Sequence, residues 1–313
     1  MRVHMVREPE PEHREFLVEA LKGTAEVTFG PAIHPDTQIL IEGQLTEEHM
    51  AQCPLAQHVV IPFAGLQPKT REVLQIHPAV QAHNLHHNAA MTAEMAMALL
   101  LACARRIVQL HNTFAHDDWE PRYFSRDAAT LYGKTVVILG FGSIGQRVGK
   151  ACEGFGMQVV GVRSKADGIA RGIDELHDIL PRADYLVVTL PGTDSTDGLI
   201  GEKEFALLPS HAIVVNVGRG RVIDEKALYE ALSENRIDGA GLDVWWIYPK
   251  APGEKTAPSE YPFSTLPNVV MTPHVGGATR DAEPERMKEL VRLVKAIIDR
   301  EPDTNLVHLD RGY

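Results

Sequence analysis

Residues 140–145 of the 313-residue chain read Gly-Phe-Gly-Ser-Ile-Gly, a spacing able to seat a phosphate against the backbone. Gly140 permits a tight turn, Gly142 lets an anion approach the main chain, and Gly145 lets a helix pack closely on a strand. Ser143 and Ile144 open the following helix, whose first N–H groups have no intrahelical partner and point at the bound anion. The run VVIL precedes the turn and a second strand-like run follows its helix, which is the context of a dinucleotide-binding turn. About twenty residues on, such a turn normally has an acid that accepts from a ribose hydroxyl. Here Arg163, Ser164 and Lys165 stand at that place. A guanidinium, a hydroxyl and an ammonium suit a 2′-phosphate instead, so the expected cofactor is NADP over NAD.

The elements that must position these residues follow from the alternation of strand-like and helix-like runs, which predicts parallel sheets with crossover helices. Strands are expected at 2–6, 25–29, 38–42 and 58–62, with helix-compatible stretches at 12–21 and 46–52. Residues 88–108 read as one helix, apolar nearly all round over 95–104. A helix with no polar face is buried on every side, so burial between two domains or two subunits is expected. The second block places strands at 134–142, 157–163, 184–192, 211–220, 238–245 and 268–274, six in all. Over 284–300, Met287, Leu290, Val291, Val294 and Ile298 recur at helical spacing. The fold class is α/β, with two doubly wound parallel-sheet domains: a Rossmann dinucleotide-binding domain over 88–283 and a smaller flavodoxin-like substrate domain over 1–87. The helix of 284–313 is expected to return to the substrate domain.

Composition narrows the partners. A net charge of −11 argues against nucleic acid and against an anionic membrane, both of which reward a basic surface. No run is apolar and long enough to span a bilayer, and the N-terminus lacks an apolar signal core, so a cytoplasmic location is expected. Cys53, Cys103 and Cys152 are widely spaced, suggesting neither disulfides nor zinc. HNLHH, residues 83–87, has metal-ligand residue types, but no carboxylate or cysteine completes the set. No metal site is expected, and the segment reads as a crossover.

Four ordered motifs resemble the D-isomer-specific 2-hydroxyacid dehydrogenases: NAAMTAEMAMALLLACAR (88–105), LYGKTVVILGFGSIG (131–145), LLPSHAIVVNVGRGRVIDEKAL (207–228) and LPNVVMTPHVGGAT (266–279). The first 87 residues match loosely. The resemblance implies hydride transfer between a nicotinamide and the substrate's C2. Arg219 would bind the substrate carboxylate, for which its fork is suited, and polarise the carbonyl. His274 would move the proton. Leu190, Pro191, Val217 and Gly276 would line the cofactor, and Asp243 would tune the site electrostatically. In PFAGL (62–66), Ala64 and Gly65 would offer backbone N–H groups to the carboxylate. Asn88 matches an asparagine near the substrate in the family's formate dehydrogenases. The chain departs from the pattern at one point. A carboxylate normally lies five residues after the aspartate of the LDV strand, and that position holds Tyr248; none occurs from Val244 to Gly253. Tyr248 would hydrogen-bond the imidazole or line the pocket, and Trp245 and Trp246 read as core residues.

These readings describe an oxidoreductase that reduces a small 2-oxoacid, such as glyoxylate or hydroxypyruvate, with NADPH. A homodimer through the 88–108 helix region is expected. The alternatives are a formate- or phosphite-like dehydrogenase, whose chemistry needs no proton relay to a carbonyl, and a dinucleotide-sensing binding protein.

Overall fold

Short runs of Val, Ile and Leu, separated by helix-compatible stretches, become parallel strands joined by crossover helices. The computed structural model describes residues 1–125, 127–302 and 305–309. The chain separates into two compact units, Met1–Asn88 with Arg280–Tyr313, and Ala89–Thr279.

The first unit contains β1 (Arg2–Met5), α1 (Pro11–Ala20), β2 (Glu26–Phe29), β3 (Ile39–Ile41), α2 (Glu47–Gln52), β4 (His58–Ile61), α3 (Pro68–Ile76) and β5 (Gln81–Asn84). Its parallel sheet has the order β2-β1-β3-β4-β5, the flavodoxin-like order. Side-chain alternation sends Val3, Met5, Ile39, Ile41 and Val60 to one face. Leu40, Val59 and Ile61 go to the other, against Met50 of α2 and Leu74 of α3. The expected crossover at 83–87 is corrected in part, because His83 and Asn84 lie in β5. QAHN has no β-branched residue, and its pairing is what makes it a strand. β4 flanks it on one side, while on the other Asn84 N donates to Asn305 O at 3.2 Å and Val307 N to Ala82 O at 2.8 Å.

The second unit runs α4 (Ala89–Ala104), α5 (Ile107–Phe114), α6 (Glu120–Phe124), β6 (Thr135–Leu139), α7 (Ser143–Gly154), β7 (Gln158–Arg163), β8 (Arg171–Gly172), α8 (Leu176–Ile179), β9 (Tyr185–Val188), α9 (Glu202–Leu207), β10 (Ile213–Asn216), α10 (Glu225–Ser233), β11 (Gly239–Leu242) and β12 (Val269–Met271). Its seven strands are all parallel in the order β12-β11-β10-β9-β6-β7-β8. That is the doubly wound dinucleotide-binding order with one strand added at the β12 edge. The two-residue edge strand β8 is one more than the sequence suggested. The C-terminal helix α11 (Ala282–Asp299) belongs to the first unit, where Met287, Leu290, Val291 and Val294 pack with Leu17 of α1.

The single helix expected over 88–108 is two. Arg106 takes a left-handed conformation (φ 54°) between α4 and α5. Its guanidinium reaches Asp238 Oδ1 at 2.6 Å, which fixes the break. Most of the apolar girdle of α4 is covered within its own unit: Ala96, Leu99, Leu100 and Cys103 pack with strand residues Val136, Ile138, Val187, Ile213 and Val215. Gly241 in β11 makes room, since a Cβ there would lie 2.8 Å from that of Leu99. One stripe of α4 stays open within the unit: Ala90, Glu94 and Ala98 are exposed, and Leu101 and Ala102 are half-buried.

Candidate functional site

The order of the second sheet reverses between β6 and β9, and ligands of such sheets bind at the strands' carboxyl ends beside that switch point. The glycine turn lies there. Gly140 has φ +100°, and a Cβ on it would come 2.9 Å from Thr189 Oγ1. Thr189 Oγ1 donates to Gly140 O at 2.5 Å, tying β9 to the turn. A Cβ on Gly145 would meet Gly140 O at 2.2 Å, whereas nothing lies within 4 Å of one on Gly142. The space over Gly142 is therefore open, and α7 begins immediately after it at Ser143 and Ile144. An open backbone approach beside the unpaired N–H groups of a first helical turn fits the pyrophosphate of a dinucleotide.

At the end of β7, Arg163 Nε donates to Phe141 O at 2.8 Å, inside the glycine turn. Its Nη1 pairs with Asp167. Asp167 Oδ1 accepts from Ile169 N at 2.9 Å and Ala170 N at 2.8 Å. The bond from Ile169 N, with those from Arg163 and Ala170, holds this carboxyl below its usual range. Ser164 and Lys165 are exposed beside the pair.

The remaining predicted residues follow other strand ends of the same sheet: Leu190 and Pro191 after β9, Val217 and Arg219 after β10, Asp243 after β11, and His274 and Gly276 after β12. Gly218 sits so close to β9's end that a Cβ would lie 2.5 Å from Leu190 O. Fully buried Asn216 staples the arginine loop, donating from Nδ2 to Arg219 O at 3.0 Å and accepting from Gly218 N at 3.0 Å. Arg219 Nη1 donates to Gly218 O at 2.7 Å.

Asp243 holds the histidine loop. It accepts from Thr272 Oγ1 at 2.6 Å, Val275 N at 2.9 Å and Gly276 N at 2.8 Å, and it is buried. A Cβ on Gly276 would lie 2.7 Å from Asp243 Oδ2, so glycine is what admits the carboxylate. His274 itself has φ 56°, a conformation uncommon outside glycine. The Tyr248 and His274 rings lie 5.5 Å apart, tilted by 55°. The Tyr248 hydroxyl accepts from Trp245 N at 3.0 Å, a contact within its own loop. Trp245 and Trp246 are anchored by indole bonds to Thr272 O and Ile223 O, each at 2.9 Å, and pack on Phe263.

Arg219, Tyr248 and His274 each keep a solvent-accessible face, while the surrounding protein displaces enough water to move their protonation equilibria. Burial, then the Arg219 charge, lowers the His274 pKa against an opposing pull from Asp243. Burial raises that of Tyr248. Burial also lowers that of Arg219, a group that stays charged at neutral pH regardless. Ala64, Gly65 and Asn88 belong to the other unit. Ala64 and Gly65 are half-buried after β4, and Ala64 O accepts from Asn84 Nδ2 at 2.8 Å. Sequence reasoning missed Asp167, Thr189, Asn216 and Thr272. Only Asn216 carried a local signal, an amide at the strand end beside two glycines.

The sequence model of the D-isomer specific 2-hydroxyacid dehydrogenase NAD binding domain matches residues 97–276. This chain belongs to that family. Among relatives of the 2-hydroxyacid dehydrogenase family, a glyoxylate reductase of Thermococcus kodakarensis is 39% identical over 212 residues, 64% of this chain and 60% of that protein. A D-3-phosphoglycerate dehydrogenase of Methanocaldococcus jannaschii is 35% identical over 223 residues, 69% of this chain and 41% of that protein. The matches thus span under two thirds of either relative's length. The crystal structure of a D-isomer specific 2-hydroxyacid dehydrogenase from Xanthobacter autotrophicus, with NADPH and MES, superposes with a TM-score of 0.80 at 23% identity. It covers 100% of this chain and 99% of that one, and so shares the fold. Among the described residues no helix is long and apolar enough to cross a membrane. Among the same residues, no group of three or more His, Cys, Asp or Glu is placed to hold a metal ion.

Proposed function

We propose that this 2-hydroxyacid dehydrogenase family member is a cytoplasmic oxidoreductase acting between NADP(H) and a small 2-oxoacid/D-2-hydroxyacid pair such as glyoxylate and glycolate, or hydroxypyruvate and glycerate. The observation that carries the reading is a guanidinium and an imidazole, Arg219 and His274, just past the carboxyl ends of β10 and β12, the strands that flank β11, in a sheet whose switch point bears an open glycine turn. The Thermococcus relative is named glyoxylate reductase, which favours the smaller substrates.

Gly140, Gly142, Ser143, Ile144 and Gly145 hold the pyrophosphate, Arg163 with Ser164 and Lys165 the 2′-phosphate, and Leu190, Pro191, Val217 and Gly276 the nicotinamide half. When bound, the nicotinamide supplies or receives the hydride at the substrate's C2. Arg219 grips the substrate carboxylate in a forked pair and draws charge from the carbonyl oxygen. In reduction, the His274 imidazolium gives its proton to that oxygen as the hydride arrives; in oxidation, neutral His274 takes it back. Asp243 orients His274 through Thr272, Val275 and Gly276. Residues 1–87 and 284–313 form the substrate domain, whose Ala64 and Gly65 backbone meets the substrate; 88–283 form the dinucleotide domain, with Asn88, also a substrate contact, at its first position. A second copy of the chain covers the exposed apolar side chains Ile107, Val108, Phe114, Trp119, Tyr123 and Phe124, making a homodimer.

A second reading is oxidation of formate or phosphite. Tyr248 in place of a carboxylate, and the lowered His274 pKa, favour it because that chemistry needs no proton on a carbonyl oxygen. Initial rates with a panel of 2-oxoacids, formate and phosphite, each with NADP(H) and NAD(H), test both. Turnover of 2-oxoacids is expected. Turnover of formate or phosphite alone would replace the first reading by the second. Cofactor binding without any turnover would leave a dinucleotide sensor.

A further inference from the structure

The loop between β7 and β8 sets a carboxylate against the arginine to which the 2′-phosphate is assigned. Arg163 has five N–H donors in a fixed fork. One serves Phe141 O at 2.8 Å, and Nη1 is taken by Asp167 Oδ2. Asp167 cannot swing aside freely. Its Oδ1 accepts from Ile169 N and Ala170 N, and its own N donates to Ala170 O at 3.0 Å, so a tight loop closes around it. The pair is part-exposed, with side chains 31% and 38% accessible, so a ligand can reach it.

We propose that Asp167 determines cofactor selectivity, by competing with the cofactor's 2′-phosphate for the Arg163 fork. The inference rests on the reading that Arg163 faces that phosphate. A phosphate monoester carrying roughly −1.5 to −2 charges meets a carboxylate held in place by two backbone bonds, and must share or displace it. A ribose 2′-hydroxyl meets no such repulsion and finds in Asp167 an acceptor of the kind that NAD-binding sites offer. Asp167 therefore penalises NADP(H) and leaves NAD(H) unharmed or helped. The triplet Arg163-Ser164-Lys165, taken alone, overstates the preference, and the natural protein uses both cofactors with a modest bias.

The test is calorimetric binding of 2′,5′-ADP and 5′-AMP to the full chain. Asp167→Asn removes the charge and keeps an oxygen for the Ile169 and Ala170 N–H groups. Asp167→Ser, whose hydroxyl also caps that loop, serves if the amide variant does not fold. The expected result is a threefold to tenfold gain in 2′,5′-ADP affinity, of the order set by one like-charge contact in a part-exposed site, with 5′-AMP unchanged or weaker. The ratio of kcat/KM for NADPH over NADH should rise by a similar factor. Unchanged or weakened 2′,5′-ADP binding, with 5′-AMP binding intact, overturns the proposal. Arg163→Ala separates the two ideas. If it lowers 2′,5′-ADP affinity while Asp167→Asn has no effect, the NADP reading stands and this inference falls. If Arg163→Ala changes neither ligand, the NADP reading fails and takes the inference with it.

Discussion

Arg219 and His274 are close enough that the charge of one acts on the protonation of the other. The Arg219 guanidinium, added to burial, keeps His274 below the ordinary histidine pKa, and Asp243 offsets this only in part. Reduction needs the imidazolium, so the working form is populated below the folded pKa and lost as pH rises through it. Reductive kcat/KM should therefore fall with rising pH from a point below about 6.5, the unperturbed value. Oxidative kcat/KM, which needs neutral His274, should rise over the same range. Replacing Tyr248 with Glu puts a negative charge beside the ring and should move both limbs to higher pH. A reductive profile flat to pH 8, or a His274→Ala enzyme of near-full activity, would remove His274 from the proton step. For Arg219, Lys keeps the charge and loses the fork. Arg219→Lys should cost about a hundredfold in kcat/KM, the order of one transition-state contact, with cofactor affinity intact. Steady-state kinetics beside a cofactor titration decides this, and an active lysine variant would place carboxylate binding elsewhere.

The loops after β11 and β12 act as one element because Asp243 accepts three bonds from the histidine loop. Asp243→Asn turns one acceptor into a donor facing N–H groups, which should cost about 1–3 kcal/mol of stability. It should also lower kcat more than it raises KM, because His274 loses its orientation while Arg219 still binds. A KM effect alone would assign Asp243 to substrate binding. Gly276→Ala should act similarly, since its Cβ would lie 2.7 Å from Asp243 Oδ2. What was legible in the sequence at this scale is what spacing encodes locally: the glycine turn, the alternating strands of both sheets, the arginine strand. What was not legible depends on distant partners. The stretch 88–114 holds no glycine or proline to announce the break at Arg106; Asp238, far along the chain, fixes it. β5 lacks strand-forming residues and exists through β4 and residues 305–307. Arg163 read as a free cation because nothing in the spacing tells that Asp167 folds back onto it.

Over the whole molecule the titrating groups set a pH dependence of stability whose sign is fixed. In the first unit, burial and then the facing His83 lower His58, whose Nδ1 lies 3.1 Å from His83 Nε2. Burial and then Arg286 lower His87. In the second, burial and then Arg219 lower His274. All three bind protons more weakly when folded, so below about pH 6.5, the unfolded value, the unfolded chain takes up more protons and stability falls with pH. Carboxylates add a second step further into acid. Burial would raise Asp184, but bonds from Thr135 N, His211 and Lys134 outweigh it. Gly201 N and His177 do the same for Glu204. Their contribution is present above the unfolded carboxylate pKa, about 4, and is lost as pH falls through the folded values. The expected Tm profile is flat between about pH 7.5 and 8, declines between about pH 6.5 and 5, and drops again below about 4. His58→Gln removes one contributor from the upper step and should flatten it, leaving the lower step unchanged. Calorimetric scans at fixed ionic strength, with each transition followed separately because two units need not unfold together, measure both. A Tm that stays level or rises on acidification from pH 6.5 to 5 would mean that the buried imidazoles find proton-stabilising partners stronger than their desolvation.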